Sequence, residues 1–463
     1  MTMWTPELQR EDRAKYRALA DAIEADVFAG RLAPGDRLPT HRDLADALGV
    51  NVGTVTRGYA EAERRGLVSA TVGRGTFIAT DARSPSGMVS FEPSAPGMIE
   101  MGLVEPIHAL DPSPRDGLRH LLRRRDTDLF TRYADPRGLR AHREAGTAWA
   151  ARFGIRATAE DIVVCAGAQH GLTYCLAGLL GPGSRLAADR LTYPGLKALA
   201  AMLGIKLAPV DLDEDGMLPE ALDAACRRTE VRAVYLMPGM QNPTTAHMPE
   251  ARREALADVA RSHGLVIIED DAYGLTRPGP GASLSALAPE RTVAIAGTSK
   301  TLAAGLRIGF IACGPWGMDR LARAVLNTVW MAPPLGAELV CRWILDGTAD
   351  AVLERKLAEA RLRMALAREF LAPHVLHGAD TGFYAWLELP GELTGSEFEA
   401  LARAVGVNVF GADRFVVGDA SEPRAVRLSL SGPADLDETR RGLGIVRGIL
   451  DETRDGGTKD AAG

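Results

Sequence analysis

Along the first eighty residues, apolar positions recur first with the period of helices and then with that of short strands. Tyr16, Leu19, Ile23, Val27 and Phe28 share one helical face, which predicts an amphipathic helix ended by Gly30. Pro34-Gly35-Asp36 is a turn. Thr40 then stands where an N-cap belongs, ahead of the apolar face Leu44, Ala45 and Leu48. Gly49-Val50-Asn51 reads as a tight turn, with Asn51 able to cap a third helix from position 52 to about 65 that turns Val55, Tyr59 and Ala62 inward. Two short strands, 67–71 and 76–79, flank Gly73-Arg74-Gly75. Two short helices about a three-residue turn, with a Gly-tipped hairpin behind them, predict a winged helix-turn-helix over residues 13–80.

The pattern breaks at Asp81-Ala82-Arg83-Ser84-Pro85-Ser86-Gly87, and residues 81–94 read as a linker. From 95 to 452, short apolar runs alternate with amphipathic helices. The runs Ile162–Cys165, Ala233–Leu236, 265–268 and 292–295 are apolar on both faces, which predicts strands of a parallel sheet covered by helices, an α/β fold. The polar stretch 453–463 reads as a disordered tail.

Composition adds exclusions. With 463 residues, 46% hydrophobic and 25% charged, the chain is an ordinary globular one of two or three domains. It has no apolar stretch of membrane-spanning length, and its first residues are polar, unlike a secretion signal. Five scattered cysteines without a CxxC pair argue against zinc and against a disulfide framework, and fit a reducing cytoplasm. A net charge of −6 excludes a surface that coats nucleic acid. Yet residues 13–80 carry ten Lys/Arg and eight Asp/Glu, so this head is +2 and the remainder −8.

In the head, Asn51, Gly53, Thr54 and Thr56 open the third helix with small polar side chains, which suit entry into a major groove. Arg57 lies on that helix and Arg42 on the one before. Arg74, beside Gly73 at the wing tip, can reach phosphate or minor groove. The same spacing also serves helical protein–protein modules.

In the body, ligands on such sheets sit beyond the strand C-termini. After 162–165 comes Ala166-Gly167-Ala168-Gln169-His170-Gly171, a small-residue turn that offers backbone N–H groups to a phosphate, or simply allows tight packing. After 233–236 comes Gln241-Asn242-Pro243-Thr244. After 265–268 come Glu269-Asp270-Asp271-Ala272-Tyr273, three acids that suit a pyridinium, a Mg²⁺ ion or a solvated loop. After 292–295 come Gly297-Thr298-Ser299-Lys300 and then Arg307. A lysine there can carry a Schiff base if its pKa is depressed, with Arg307 as a contributing neighbour.

Two resemblances extend this reading. The run from Gly30-Arg31-Leu32-Ala33-Pro34-Gly35-Asp36-Arg37-Leu38-Pro39 through Val72-Gly73-Arg74-Gly75-Thr76-Phe77 resembles the DNA-binding domain of GntR-type regulators. This implies DNA contacts at Arg42, Thr54, Gly73 and Arg74. The order of the body loops, with Tyr133-Ala134-Asp135-Pro136-Arg137-Gly138-Leu139-Arg140 and Arg427-Leu428-Ser429, resembles fold-type I aminotransferases. It implies pyridoxal 5'-phosphate (PLP) as cofactor, held as an internal aldimine on Lys300, with Asp270 on the pyridine nitrogen. It further implies Asn242 and Tyr273 at the ring hydroxyl, Tyr193 stacked on the ring, and Ala168, Gln169, Thr298 or Ser299, and Arg307 at the phosphate. Tyr133 would reach the phosphate of the other subunit, and Arg427 would clamp a substrate carboxylate. Lys300, Asp270 and Tyr273 would be the catalytic set. Two residues depart from that pattern: Gly297 where a hydroxyl residue is usual, and Thr245 where glycine is usual.

The combination resembles the MocR-type regulators. It implies a homodimeric transcription factor that binds promoter DNA and senses an amino compound through PLP, with an active aminotransferase as the alternative.

Overall fold

The computed structural model describes residues 4–6, 15–28, 31–32, 35–64, 67–71, 75–78, 97–123, 126–277, 279, 281–418 and 421–459. Gly30, the wing tip with Gly73 and Arg74, the linker 81–94 and residues 460–463 lie outside the described residues.

The head has three helices and a hairpin: α1 (Lys15–Phe28), α2 (His41–Leu48), α3 (Val52–Arg64), β1 (Val68–Thr71) and β2 (Gly75–Ile78). The β1–β2 pairing is antiparallel, with Val68 opposite Ile78. Thr40 caps α2 by accepting from the Asp43 N–H, and Gly49 ends it at φ 61°, a left-handed turn glycine adopts without strain. Leu19, Ile23, Leu44, Val55, Tyr59 and Ala62 close one buried core. Within it the Tyr59 hydroxyl donates to Pro39 O at 2.9 Å.

The body begins with β3 (Ile99–Glu100) and builds a seven-stranded sheet from β4 (Ile162–Cys165), β5 (Arg185–Asp189), β6 (Lys206–Val210), β7 (Ala233–Leu236), β8 (Val266–Asp270), β9 (Thr292–Gly297) and β10 (Gly309–Cys313). Its order is β4-β10-β9-β8-β7-β5-β6. The four runs that predict a parallel sheet are β4, β7, β8 and β9, and they share one direction; β10, which that prediction did not include, runs antiparallel to both neighbours, β4 and β9. Because of that reversal, the start of β10 lies at the edge where the other six strands end. Strands β4, β7 and β9 are buried along their whole length, which is why their sequences read as unbroken apolar runs.

A smaller sheet follows, from β11 (Leu376–His377), β12 (Tyr384–Glu388), β14 (Phe410–Gly411) and β15 (Ala425–Ser429), in the order β11-β12-β15-β14. Between them in sequence, β13 (Val407–Asn408) pairs in parallel with β3. The last helix, Leu436–Lys459, continues well into the stretch 453–463 that the sequence predicts to be disordered. Among the described residues, no helix is long and apolar enough to cross a membrane.

Candidate functional site

In the head, the Asn51 side chain accepts from the Thr54 N–H at 3.1 Å, so Asn51 caps α3 as well as standing at its exposed start. Arg42 is exposed on α2. Arg57 is partly engaged inside the domain: its Nε donates to Gly53 O at 3.3 Å and its guanidinium lies 5.5 Å from the Tyr16 ring centre. Val52, which with Gly53 stands where many GntR-type domains carry an Arg or Ser, opens α3 with 42% of its surface exposed.

In the body, the C-terminal ends of β4, β7, β8 and β9 and the start of β10 surround one cavity of about 600 Å³. It gathers Asp270, Lys300, Asn242, Tyr273, Tyr193 and Arg427. Ala168, Gln169, Ser299 and Arg307 also line it. Thr298 and Tyr133 do not line it, and Tyr133 was expected only at the other subunit's phosphate. The Thr298 hydroxyl is buried and donates to Ile308 O at 2.6 Å. Tyr133 is 80% exposed and packs on Trp330, with ring centres 5.0 Å apart.

At the cavity floor the three acids part ways. Glu269 accepts from the Ser283 hydroxyl at 2.5 Å and from the Leu284 N–H at 3.1 Å. Asp271 accepts from the Gly239 N–H at 2.9 Å. Only Asp270 borders the cavity, with Oδ2 accepting from the Tyr235 hydroxyl at 2.9 Å and a buried Oδ1 that has no partner. Burial raises the Asp270 carboxyl to about 6, against the lowering effect of the Tyr235 bond. Tyr235 was not foreseen. It lies opposite Ile268 in the β7–β8 register, and Asp270, two residues on, points to the same face. Among the described residues no cluster of His, Cys, Asp and Glu suits a metal ion.

Lys300 enters from the loop after β9 and donates to Val104 O. Burial, then the charge of Arg427 and to a smaller degree Arg307, lowers its pKa to about 8, while Glu105 opposes them. Tyr273, 5% exposed, presents its ring 5.6 Å from the Lys300 amine, and burial raises its hydroxyl to about 12.

Arg427, on β15, is buried and has no carboxylate partner among the described residues. Its Nη1 donates to Asn242 Oδ1 and its Nη2 to Gly102 O, both at 2.6 Å. Its Nε and Asn242 Nδ2 are buried without partners. A buried cation held only by neutral groups is costly unless an anion joins it.

At the opposite end, Gly167 precedes the helix Ala168–Leu179 at φ 85°. A Cβ there would come within 2.4 Å of the Arg307 guanidinium, so glycine is needed both for the turn and for the arginine's approach. Arg307 Nη1 reaches the Ser299 hydroxyl at 3.3 Å, beside the unpaired N–H groups of that helix's first turn. Tyr193 donates its hydroxyl to Gln169 Oε1 at 3.0 Å.

The two departures noted in the sequence have local readings. Gly297 ends β9 at the cavity, where a Cβ would meet Ala168 Cβ at 3.3 Å, and its carbonyl accepts from Trp149 Nε1 at 3.1 Å. Thr245 holds the left-handed conformation, φ 66°, that glycine would take at lower cost.

Comparison with known proteins agrees with this architecture. The family model described as "Bacterial regulatory proteins, gntR family" matches residues 15–78, and that described as "Aminotransferase class I and II" matches residues 108–442. The chain is 35% identical over 449 residues to the uncharacterized HTH-type transcriptional regulator YdeF of Bacillus subtilis, covering 97% of each chain. It is 28% identical over 486 residues to the HTH-type transcriptional regulator TauR of Rhodobacter capsulatus, covering 91% of this chain and 94% of that one. Among solved structures, an archaeal alanine:glyoxylate aminotransferase superposes with a TM-score of 0.69 at 25% identity, over 77% of this chain and 91% of that one. With a winged helix-turn-helix ahead of a fold-type I aminotransferase-like body, the chain belongs to the MocR-type branch of the GntR regulators.

Proposed function

We propose that the protein is a DNA-binding transcriptional regulator whose body holds PLP at Lys300 and senses an amino compound there. One observation carries the reading. Asp270 Oδ1, Asn242 Nδ2 and Arg427 Nε are buried in or beside one cavity without partners, next to a lysine of lowered basicity. Most buried polar atoms find a partner, and three without one around a single cavity favour a ligand or ordered water that completes them.

PLP fits the donor set. Asp270 Oδ1 would accept from a ring N–H, and Asn242 Nδ2 would donate to the ring oxygen, with Tyr273 beside it. Tyr193 would flank the ring. Arg307, Ser299 and the N–H groups of Ala168 and Gln169 would hold the phosphate, while Thr298 supports the loop through Ile308 O. When bound, the cofactor supplies a carbonyl for amines and a ring that withdraws electrons. Lys300, with a pKa of about 8, keeps roughly a tenth of its amine neutral at pH 7. Arg427 offers a planar fork to a carboxylate. Exposed Tyr133 would complete the partner subunit's phosphate site in a homodimer, and Arg42 and Thr54, with Gly73 and Arg74 of the wing, would contact promoter DNA.

The test is direct. PLP added to the purified apoprotein should generate a visible absorption band, and gel shifts on the DNA upstream of its own gene should respond to PLP and to amino acids. DNA binding indifferent to both ligands would sink the reading. Aminotransferase activity is the second reading, favoured by the presence of Lys300, Asp270, Asn242 and Arg427 in one cavity. Turnover with a keto acid at ordinary enzyme rates, about 1–10³ s⁻¹, would establish it.

A further inference from the structure

The span between Arg427 and Lys300 is bordered by three consecutive residues of the chain. Gly102 O receives Arg427 Nη2 at 2.6 Å, and Val104 O receives the Lys300 amine. A ligand with its carboxylate on Arg427 and its amino group near Lys300 must therefore lie along residues 102–104. Their side chains there are apolar. Leu103 is half-buried, Val104 is 2% exposed, and both line the cavity. Beside Gly102 the Phe410 ring also lines it, its centre 5.4 Å from the Arg427 guanidinium. Gly102 lets strap and ring meet: a Cβ there would lie 2.6 Å from the Phe410 ring.

The charges around this wall are already allotted. The cationic side chains lining the cavity are Lys300, Arg307 and Arg427. Arg307 lies at the phosphate end and Arg427 takes the first carboxylate, while Arg414, against the Phe410 ring, is paired with Glu399, so the described residues that line the cavity leave no cation for a second. The carboxylate whose charge reaches Lys300 from the strap is Glu105. A second carboxylate on the ligand would thus be desolvated against apolar groups, near a like charge.

We propose that the ligand read by this site is an α-amino monocarboxylate with an apolar side chain, and that Leu103, Val104 and Phe410 set this specificity. The proposal rests on the reading of the cavity as a PLP and amino-compound site. Each methylene that such a wall covers is worth roughly tenfold in affinity or more.

The experiment uses the PLP-loaded full-length protein, titrated by calorimetry with leucine, norleucine, aspartate, glutamate and lysine. Leucine and norleucine should bind at least about tenfold more tightly than the charged amino acids. Aspartate, glutamate or lysine binding as tightly as leucine would overturn the proposal. Leu103→Arg should strengthen aspartate and glutamate and weaken leucine. The milder Phe410→Leu should weaken norleucine more than alanine. An unchanged order of affinities in both variants would overturn the assignment of the wall. Absence of the visible band before any amino acid is added would instead bring down the cofactor reading, and this proposal with it.

Discussion

The Tyr235 hydroxyl donates to Asp270 Oδ2 at 2.9 Å and leaves Oδ1 alone to face the cavity. The bond orients the carboxylate and works against the burial that raises it to about 6. Tyr235→Phe should therefore raise the Asp270 carboxyl further and keep it protonated to higher pH, where it is a poorer partner for a ring N–H. A hydrogen bond to a charged group is worth about 1.5–3 kcal/mol, so PLP affinity should fall roughly tenfold at pH 6 and less at pH 8. Equilibrium dialysis across that range checks it, and a loss independent of pH would show Tyr235 to be only a packing residue.

Lys300→Ala should abolish the visible cofactor band and leave a folded protein. In the wild type, only the neutral amine attacks a carbonyl. With a pKa of about 8, band formation should quicken about tenfold from pH 6 to 7 and level off above 8. Stopped-flow absorbance reads both, and an undiminished band in the variant would refute the assignment.

Arg427→Ala should weaken binding of amino acids by about 2–5 kcal/mol, the usual cost of removing one side of a buried charged pair. It should spare amines that lack a carboxylate. Equal losses for both ligand classes would mean that Arg427 serves the fold, through Asn242 and Gly102, rather than the ligand.

Asp189 isolates a pH effect away from the cavity. Burial raises its carboxyl from 3.8 to about 7, although Gln241 Nε2 donates to Oδ2 at 3.1 Å. A folded-state pKa above the unfolded one gives stability that is present below the unfolded pKa and lost as pH rises through the folded pKa. Between pH 6 and 8 this group should cost on the order of 1 kcal/mol. Asp189→Asn should flatten the decline of the melting temperature over that interval. A slope identical to wild type would place the Asp189 carboxyl at its ordinary value.

For the head, Arg42→Ala should weaken promoter binding and reduce the slope of log affinity against log salt by about 0.9 for each phosphate the protein no longer neutralises. Arg57→Ala should do less, because Gly53 O and the Tyr16 ring already engage that guanidinium. With a head of only +2, tight binding should need two heads on half-sites separated by whole turns of about 10 bp. Footprints and salt-titrated gel shifts would show this, and a short site bound equally well by a lone head would argue against paired binding.

What was legible in the sequence was local. Apolar runs such as Ile162–Cys165 and Ala233–Leu236 coincide with strands, because a strand buried on both faces carries no polar interruption. Thr40 and Asn51 are caps in the structure because capping is settled within three residues. What stayed hidden depended on partners distant in sequence. The reversal of β10 follows from its two neighbours, not from its own residues. Tyr235 meets Asp270 only because β7 and β8 are adjacent in this register. The equal-looking acids Glu269, Asp270 and Asp271 acquire different fates from Ser283, Tyr235 and Gly239. Thr298 and Ser299 look interchangeable in sequence, and successive residues face apart.

The strap that borders the cavity is also where the body's chain begins. Ile99 and Glu100 pair with β13, Met101 O accepts from the Ser429 N–H at 2.6 Å, and Gly102 O is held by Arg427. Residues 99–102 and Arg427 are thus tied into one hydrogen-bonded unit. Were a ligand to shift Arg427, it would also shift residues 99–102, which follow the linker in sequence. In a dimer two such segments would move together, so the ligand would change the distance the heads can bridge while each head's grip on its own half-site stays the same. Regulation by this route would be written in operator spacing: promoters with the same half-sites, set a few base pairs apart, would answer the same ligand in opposite directions.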